Sequence, residues 1–160
     1  MTVREIRRWG DPGLRTSCDE VTVFDDRIRR LCDDLIDTVT AEDGRAGLAA
    51  NQIGVGLRAF SWYVDGDLGV VVNPRVVSTG GEQDGDEGCL SLPGLWFPVV
   101  RAESATVEGV DATGAPLRVS GTGLMARCLQ HECDHLDGRL YVDRLTGDLR
   151  REALRAARGL

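Results

Sequence analysis

The sequence predicts an α+β fold: mainly antiparallel sheets packed around a central helix that carries the pattern H-E-x-x-H, with an N-terminal helix and a short C-terminal helix. Strand-like runs follow one another directly, and the long helical patterns do not alternate with them. The chain has 160 residues, of which 42% are hydrophobic, so it can bury one core without disulfides. We therefore expect residues 1–160 to form a single domain.

The first half of the chain predicts one helix and two strands. Apolar side chains in the stretch 24–44 recur at helical spacing, and Gly44 ends that pattern. The runs 57–64 and 68–77 are strand-like, with an Asp-Gly turn between them. A connection this short joins antiparallel strands.

The second half begins with a predicted loop. Residues 81–88 are polar and acidic, and we expect them to be solvated. Two further strands are predicted over 99–110 and 115–121, on either side of a turn at 111–114. These strands extend the antiparallel sheet.

The central helix is predicted over 122–138, with Thr122 as its N-cap and Gly138 just beyond its C-terminus. A last short helix is predicted over 148–158, where apolar and basic residues separate onto two faces. The apolar residues are Leu149, Ala153, Ala156 and Leu160, and the basic ones are Arg151, Arg155 and Arg158.

Composition excludes some classes of function. A net charge of −7 argues against general or specific DNA binding. The sequence contains no apolar run long enough to cross a membrane, and its start lacks the apolar stretch of a secretory signal. Five cysteines, an odd number, then indicate reduced thiols and a cytoplasmic location. We expect Cys18 and Cys32 to be small buried apolar residues.

The only two histidines of the chain lie in the predicted central helix. His131 and His135 are four residues apart, so both can reach one metal ion from the same helix face. Glu132 can lean towards a water molecule on that metal as a proton shuttle. The alternative is a helix with two ordinary histidines that cap or fill the core.

A catalytic metal needs a third protein ligand, and the helix does not supply it. One protease pattern places that ligand ten residues after the first histidine, where this chain has Tyr141. Cys128, His131 and His135 would span about 10 Å along one helix, too far for ligands that lie about 2 Å from the ion. Cys128 is better interpreted as lining the pocket, and the third ligand must come from elsewhere.

Two other stretches offer suitable chemistry. Cys89 could add a thiolate to the two imidazoles, and Gly88 before it allows close approach; the alternative is an ordinary buried thiol. Gln52, in the small-residue run GLAANQIG, could donate an amide N–H to a developing oxyanion, or could simply lie in a turn.

Taken together, GLAANQIG (47–54), EGCLS (87–91) and QHECDH (130–135) closely resemble the three signature motifs of the peptide deformylase family. The similarity extends to flanking stretches and covers about residues 3–146. This resemblance implies a hydrolase that removes the N-formyl group from the formyl-methionine of newly made polypeptides. It also implies one divalent metal ion, Fe(2+) in the native enzyme, with Zn, Ni or Co in some preparations.

The resemblance assigns roles residue by residue. The metal ligands would be Cys89, His131 and His135. Metal-bound water would attack the formyl carbon while Glu132 acts as general base and then acid, and Gln52 and the backbone N–H of Leu90 would stabilise the oxyanion. The substrate-binding residues would be Ala46, Gly47, Gly88, Leu92, Leu124 and Cys128. The substrate backbone would add as a strand against residues 45–47 and Leu92.

Arg45 and Glu87 each lead to a further prediction. The family's first motif usually begins Gly-x-Gly, but this chain has Arg45 at the first glycine, so we expect retained activity with altered contacts in the substrate groove. Glu87 is expected to pair with Arg101 and fix the cysteine loop; two exposed charges are the alternative.

Other functions remain open from the sequence: a metallopeptidase with a different third ligand, an inactive metal-binding relative, or a deformylase kept for a special substrate or for inhibitor resistance. The C-terminal helix docks on the ribosome in some family members, and a plain amphipathic helix packed on the domain is the alternative. We expect a monomer without a membrane anchor.

Overall fold

The computed structural model describes residues 2–160, which contain three α-helices and seven strands. The helices are α1 (Asp26–Thr40), α2 (Gly123–Leu136) and α3 (Gly147–Arg158). The strands are β1 (Gly47–Ala49), β2 (Ala59–Val64), β3 (Asp67–Gly80), β4 (Asp86–Cys89), β5 (Leu92–Pro98), β6 (Ser104–Val110) and β7 (Pro116–Thr122).

The strands form two antiparallel sheets. The larger sheet has the order β1-β2-β3-β6-β7, and the smaller one is the hairpin β4-β5. Helix α2 packs against the larger sheet, and its Arg127 and His131 side chains contact Glu87 of the hairpin. The predicted α+β class with a central H-E-x-x-H helix is confirmed. In residues 2–160, no helix is long and apolar enough to cross a membrane.

Helix α1 forms where the apolar stripe predicts it. The Asp25 side chain caps its N-terminus by accepting hydrogen bonds from the backbone N–H groups of Arg27 and Ile28. The apolar face is buried against β1, β2 and β3, with Leu35 and Val39 fully covered. The helix therefore positions the segment that leads into β1, which belongs to the candidate site.

Helix α2 is buried on most of its surface, which explains its central place. Ala126, Leu129 and Leu136 are completely covered, and Leu129 and Leu136 belong to a core cluster shared with the large sheet. Thr122 holds the predicted N-cap position, but its side chain makes no capping hydrogen bond within the described residues. Gly138 follows the helix with a φ of 74°, a conformation that favours glycine.

The hairpin β4-β5 is the part of the fold that the sequence prediction missed. Residues 81–88 were expected to be a solvated loop, yet β4 begins at Asp86, and β5 was not predicted. The acidic composition was misleading because Glu87 is buried by ion pairs rather than left in solvent. The predicted strand 99–110 was too long at its start, since β6 begins at Ser104.

Helix α3 covers a third core cluster next to this hairpin. Ala153 and Ala157 are fully buried there, together with Leu92 and Phe97 of β5. Of the apolar residues predicted on its face, Leu160 is exposed. An amphipathic helix packed on the domain is therefore confirmed.

Candidate metal centre

Three potential ligands converge where α2 faces the hairpin. The Nε2 atoms of His131 and His135 lie 3.1 Å apart, and Cys89 Sγ lies 3.3 Å from His135 Nε2. All three ligand atoms fall within 4.8 Å of one another. Nitrogen ligands at about 2.1 Å around a tetrahedral ion are roughly 3.4 Å apart, so this spacing fits a shared metal ion. Two imidazoles and a thiolate are also a donor set that transition metals prefer.

The ring of His131 is oriented by Glu87. His131 Nδ1 lies 2.7 Å from Glu87 Oε2, which favours a proton on Nδ1 and leaves Nε2 to act as the ligand nitrogen. Burial disfavours a charge on this imidazole, but contacts with Cys89 and Glu87 outweigh burial and raise the pKa of His131. In the neutral ring, the contact of Nδ1 with the Glu87 carboxylate selects the tautomer that a metal ligand requires.

Glu87 is itself held by two arginines. Arg101 binds it in a bidentate arrangement at 3.0 and 2.7 Å, and Arg127 Nη1 donates to Oε1 at 2.8 Å. Burial opposes ionisation of Glu87, but its contacts with His131 and Arg101 lower the pKa of the carboxyl well below its ordinary value. The predicted pair of Glu87 and Arg101 is confirmed, and both side chains are buried rather than exposed.

His135 lies deeper and has different neighbours. Its backbone carbonyl accepts a hydrogen bond from Asn51 Nδ2 at 2.6 Å, which ties α2 to the short 3-10 helix Ala50–Ile53. Burial and the adjacent charge of His131 lower the pKa of His135. A neutral imidazole is the form that binds a metal.

Glu132 is buried beside the three ligand atoms. Its Oε1 lies 4.0 Å from His131 Nε2, and its Oε2 has no hydrogen-bond partner among residues 2–160. Burial raises the pKa of Glu132 to about 7, while the charge of His131 works in the opposite direction. A carboxyl group with a pKa near neutrality can both accept and donate a proton.

The side-chain amide N–H group of Gln52 also faces the candidate ligand Cys89. Its Oε1 accepts from the backbone N–H of Ala49 at 2.9 Å, which fixes which end of the amide faces the site. Its Nε2 donates to Ser91 Oγ at 3.1 Å and lies 3.7 Å from Cys89 Sγ. The sequence interpretation missed Ser91, although EGCLS contains it. Leu90 lies between Cys89 and Ser91 in the two-residue turn of the hairpin.

A groove of about 950 Å³ opens onto this cluster. Predicted substrate-binding residues that line it are Ala46, Gly88, Leu92, Leu124 and Cys128. Leu124 is 53% exposed, so it belongs to the groove wall and not to the core. Gly47 lies behind the wall, where a Cβ atom would be 2.7 Å from Cys128 Sγ and 2.8 Å from Glu132 Oε1.

Arg45 points back towards α1. Its Nη1 donates to the backbone carbonyl of Thr38 at 2.6 Å, and its Nη2 lies 3.2 Å from Glu42. The side chain is only 14% exposed and forms part of the groove rim. A cation at the last carbonyls of a helix is favourable, which explains why arginine is tolerated at this position.

Two residues considered as a third ligand have other partners. The Tyr141 hydroxyl donates to the carbonyl of Leu95 at 2.8 Å, and its ring packs near that of His131. Cys128 Sγ donates to the carbonyl of Ala46 at 3.4 Å and does not join the ligand cluster. Both arrangements agree with the sequence argument that neither residue completes the site.

Comparison with known proteins shows which family the chain belongs to. Residues 3–151 match the family described as polypeptide deformylase. The chain belongs to the polypeptide deformylase family. The enzyme class predicted from the three motifs, peptide deformylase, is thereby confirmed.

Individual deformylases are similar over nearly the whole chain. A peptide deformylase of Acidothermus cellulolyticus is 52% identical over 158 residues, which cover 99% of this chain and 87% of that protein. Peptide deformylase 2 of Streptomyces coelicolor is 50% identical and covers 96% of this chain, with 88% of its own length matched. The crystal structure of the Legionella pneumophila peptide deformylase superimposes with a TM-score of 0.91 at 42% identity, over 99% of this chain and 95% of that one.

Proposed function

We propose that this deformylase removes the formyl group from N-formyl-methionyl peptides as a metal-dependent hydrolase, and that residues 1–160 act as one catalytic domain. The observation that carries the proposal is the cluster of Cys89, His131 and His135, with Glu132 and the Gln52 amide facing it. A single metal ion bound there would activate water and polarise the formyl carbonyl.

The proposed ion is divalent iron in the native enzyme, held by Cys89, His131 and His135. A mixed set of one thiolate and two imidazoles suits several first-row metals, so Zn, Ni or Co could replace iron in preparations. The fit rests on the spacing of the three donor atoms and on Glu87, which directs Nε2 of His131 towards them. Iron with a thiolate ligand is sensitive to oxidants, and Cys89 shares that sensitivity.

Glu132 is the proposed proton shuttle. Its position beside the ligand atoms allows it to take a proton from the attacking water and later deliver it to the leaving amine. Because the carboxyl is buried, both protonation states are accessible near neutral pH. Its Oε2, which lacks a partner among residues 2–160, is available to that water.

Gln52 and Leu90 are the proposed oxyanion donors. The Gln52 amide is held in place by Ala49 and Ser91, so it needs no reorganisation when negative charge develops on the formyl oxygen. The backbone N–H of Leu90 adjoins Cys89 in the hairpin turn. One such donor contributes about 3–4 kcal/mol to stabilisation of the transition state.

The substrate backbone is proposed to lie along β1. Tyr63 N donates to the carbonyl of Ala46, and Gly47 lies opposite Trp62 on β2. Backbone groups of successive residues alternate in direction, so the N–H and C=O of Gly47 point away from β2 and towards an added strand. Leu92 would bound the other side of the peptide. The methionine side chain would occupy the part of the groove lined by Ala46, Gly88, Leu124 and Cys128.

The test is deformylation of a formyl-Met tripeptide by protein purified anaerobically with Fe(II) or nickel, beside the Glu132→Ala variant. We expect free amine from the parent and a loss of about 10²-fold or more in the variant, with metal content unchanged. A fully metal-loaded parent that releases no formate would overturn the proposed function. Cleavage of internal peptide bonds would instead indicate a metallopeptidase.

The proposed partners are nascent chains in the cytoplasm, encountered by a monomeric enzyme. Arg151, Arg155 and Arg158 are exposed on α3, opposite the buried alanines, and could contact ribosomal RNA. Replacing all three with glutamate should reduce co-sedimentation with ribosomes while leaving tripeptide deformylation intact. Equal co-sedimentation of the variant would rule out docking through this face.

A further inference from the structure

A chain of charged side chains runs from the surface to the candidate metal centre. Arg144 binds Asp134 through two contacts, at 2.6 and 3.0 Å. Asp134 Oδ2 also accepts from Arg101 Nη1 at 2.7 Å, and Arg101 holds Glu87, which contacts His131. The path therefore reaches a proposed metal ligand through four direct contacts.

The members of this chain come from four separate segments. Asp134 and His131 lie one turn apart on α2, and Glu87 lies on β4. Arg101 lies between β5 and β6, and Arg144 ends the short 3-10 helix Tyr141–Arg144 that precedes α3. The network consequently links the hairpin β4-β5, helix α2 and the segment that precedes α3.

Because these side chains are buried, a change at the contact between Arg144 and Asp134 affects the contacts between Arg101 and Glu87. The side chains of Arg101 and Glu87 are 3% and 4% exposed, and that of Asp134 is 10% exposed. Arg101 donates to both acids, so the contact with Asp134 is a second anchor that holds its guanidinium group in the orientation of the bidentate contact with Glu87. Asp134 in turn is oriented by Arg144.

We propose that Arg144 is a positioning residue for the metal centre. Through Asp134 and Arg101 it fixes Glu87, and thereby the ring orientation of His131. The inference rests on the metal centre of the proposed function. Outer partners of metal ligands commonly change metal affinity 10- to 100-fold when they are removed. Arg144 extends that outer support from the buried ion pair to a residue at the surface.

The competing interpretation treats Arg144 as a surface ion pair of little consequence. Its side chain is 43% exposed, and exposed pairs usually contribute little. The two interpretations differ in one measurable respect: a surface pair would affect stability slightly, whereas a positioning residue would change the ligand geometry and the retention of metal.

The test uses protein loaded with cobalt(II), whose visible absorption reports the geometry of its ligands. Arg144→Ala should shift the visible bands, and chelator should remove cobalt on the order of 10-fold faster than from the parent. Arg144→Lys should lie between the two, because lysine restores the charge without the bidentate contact. Arg139→Ala, an exposed arginine in the same connecting segment, should match the parent.

A parent-like spectrum and parent-like cobalt loss in Arg144→Ala would overturn the proposal. Circular dichroism after metal removal establishes whether that variant folds. If it does not fold, Asp134→Asn supplies the same comparison, and a parent-like result there would also overturn it. None of these measurements requires turnover, so a parent that binds cobalt but does not deformylate would contradict the proposed function alone.

Discussion

At the scale of single residues, Gly47 shows how little space the site leaves. A Cβ atom at this position would lie 2.7 Å from the sulfur of Cys128 and 2.8 Å from the Oε1 atom of Glu132. Real Cβ atoms do not approach that closely, so either the proposed proton shuttle or the groove wall would have to move. Glycine is needed at position 47 because of these neighbours.

Gly47→Ala should therefore lower the free energy of unfolding by about 1–3 kcal/mol, the usual cost of overpacking. It should also reduce kcat for formyl-Met peptides, because Glu132 is displaced. Gly56→Ala is the matched control, since among the described residues no atom beyond Gly56 and its two chain neighbours lies within 4 Å of the added Cβ. Denaturant unfolding and tripeptide kinetics on both variants test this, and equal behaviour of the two would contradict it.

Cys18 and Cys32 are buried thiols that should be chemically inert. Burial raises the pKa of both Cys18 and Cys32 from about 9 to about 11. At pH 8 their reactive thiolate is then roughly 100-fold scarcer than for an ordinary thiol. Both residues should resist alkylation by iodoacetamide in the folded protein and react as pH approaches 11 or after denaturation. Mass spectrometry measures this, and rapid native labelling at pH 8 would contradict it.

The three proposed metal ligands were named from the sequence, and the structure brings their ligand atoms together, whereas the side chains that support them were not predicted. His131 and His135 could be paired from helical spacing alone, and Cys89 was found from a local motif. Ser91 and Arg127 gave no comparable signal, because their roles depend on contacts 39 and 40 residues away in the chain. The sequence offered one indication of a role for Arg127: it is a charged residue in a predicted helix whose other residues are mostly apolar.

At the scale of elements, the sequence predicted helices better than strands. α1 and α2 follow from a 3.6-residue period that their packing preserves. The hairpin β4-β5 combines acidic residues, prolines and glycines, and its burial depends on arginines supplied by other elements. Local propensity could not anticipate that compensation, so β4 was interpreted as part of a loop over residues 81–88 and β5 was not predicted.

Arg45 provides a test of how α1 supports the groove. Arg45→Ala removes a hydrogen bond to the carbonyl of Thr38 near the end of α1, which should lower the free energy of unfolding by about 1 kcal/mol. Activity should persist, with a changed KM because residues 42–46 border the groove. Arg29→Ala, which removes an exposed pair on the same helix, should change neither quantity. An unaltered KM in Arg45→Ala would show that its side chain does not shape the groove.

At the scale of the whole molecule, the candidate metal centre joins parts that are stabilised by different cores. The histidines lie on α2, which packs into the cluster under the large sheet, whereas Leu92 and Phe97 of the hairpin pack into the cluster covered by α3. The position of Cys89 relative to the histidines therefore depends on the third core as well as on the ligands themselves.

Deleting residues 147–160 should consequently damage the site from a distance. Ala153 and Ala157, which are fully buried, would leave the third core together with the half-buried Leu149 and Leu154. The free energy of unfolding should fall by roughly 3 kcal/mol, and the loosened hairpin should lose metal faster. Charge reversal of Arg151, Arg155 and Arg158 on α3 should leave both quantities unchanged, which separates packing from charge. Thermal unfolding and metal content after chelation measure the effect. If the truncated protein matched the full chain in both, α3 would not support the hairpin, and the third core would be stable without it.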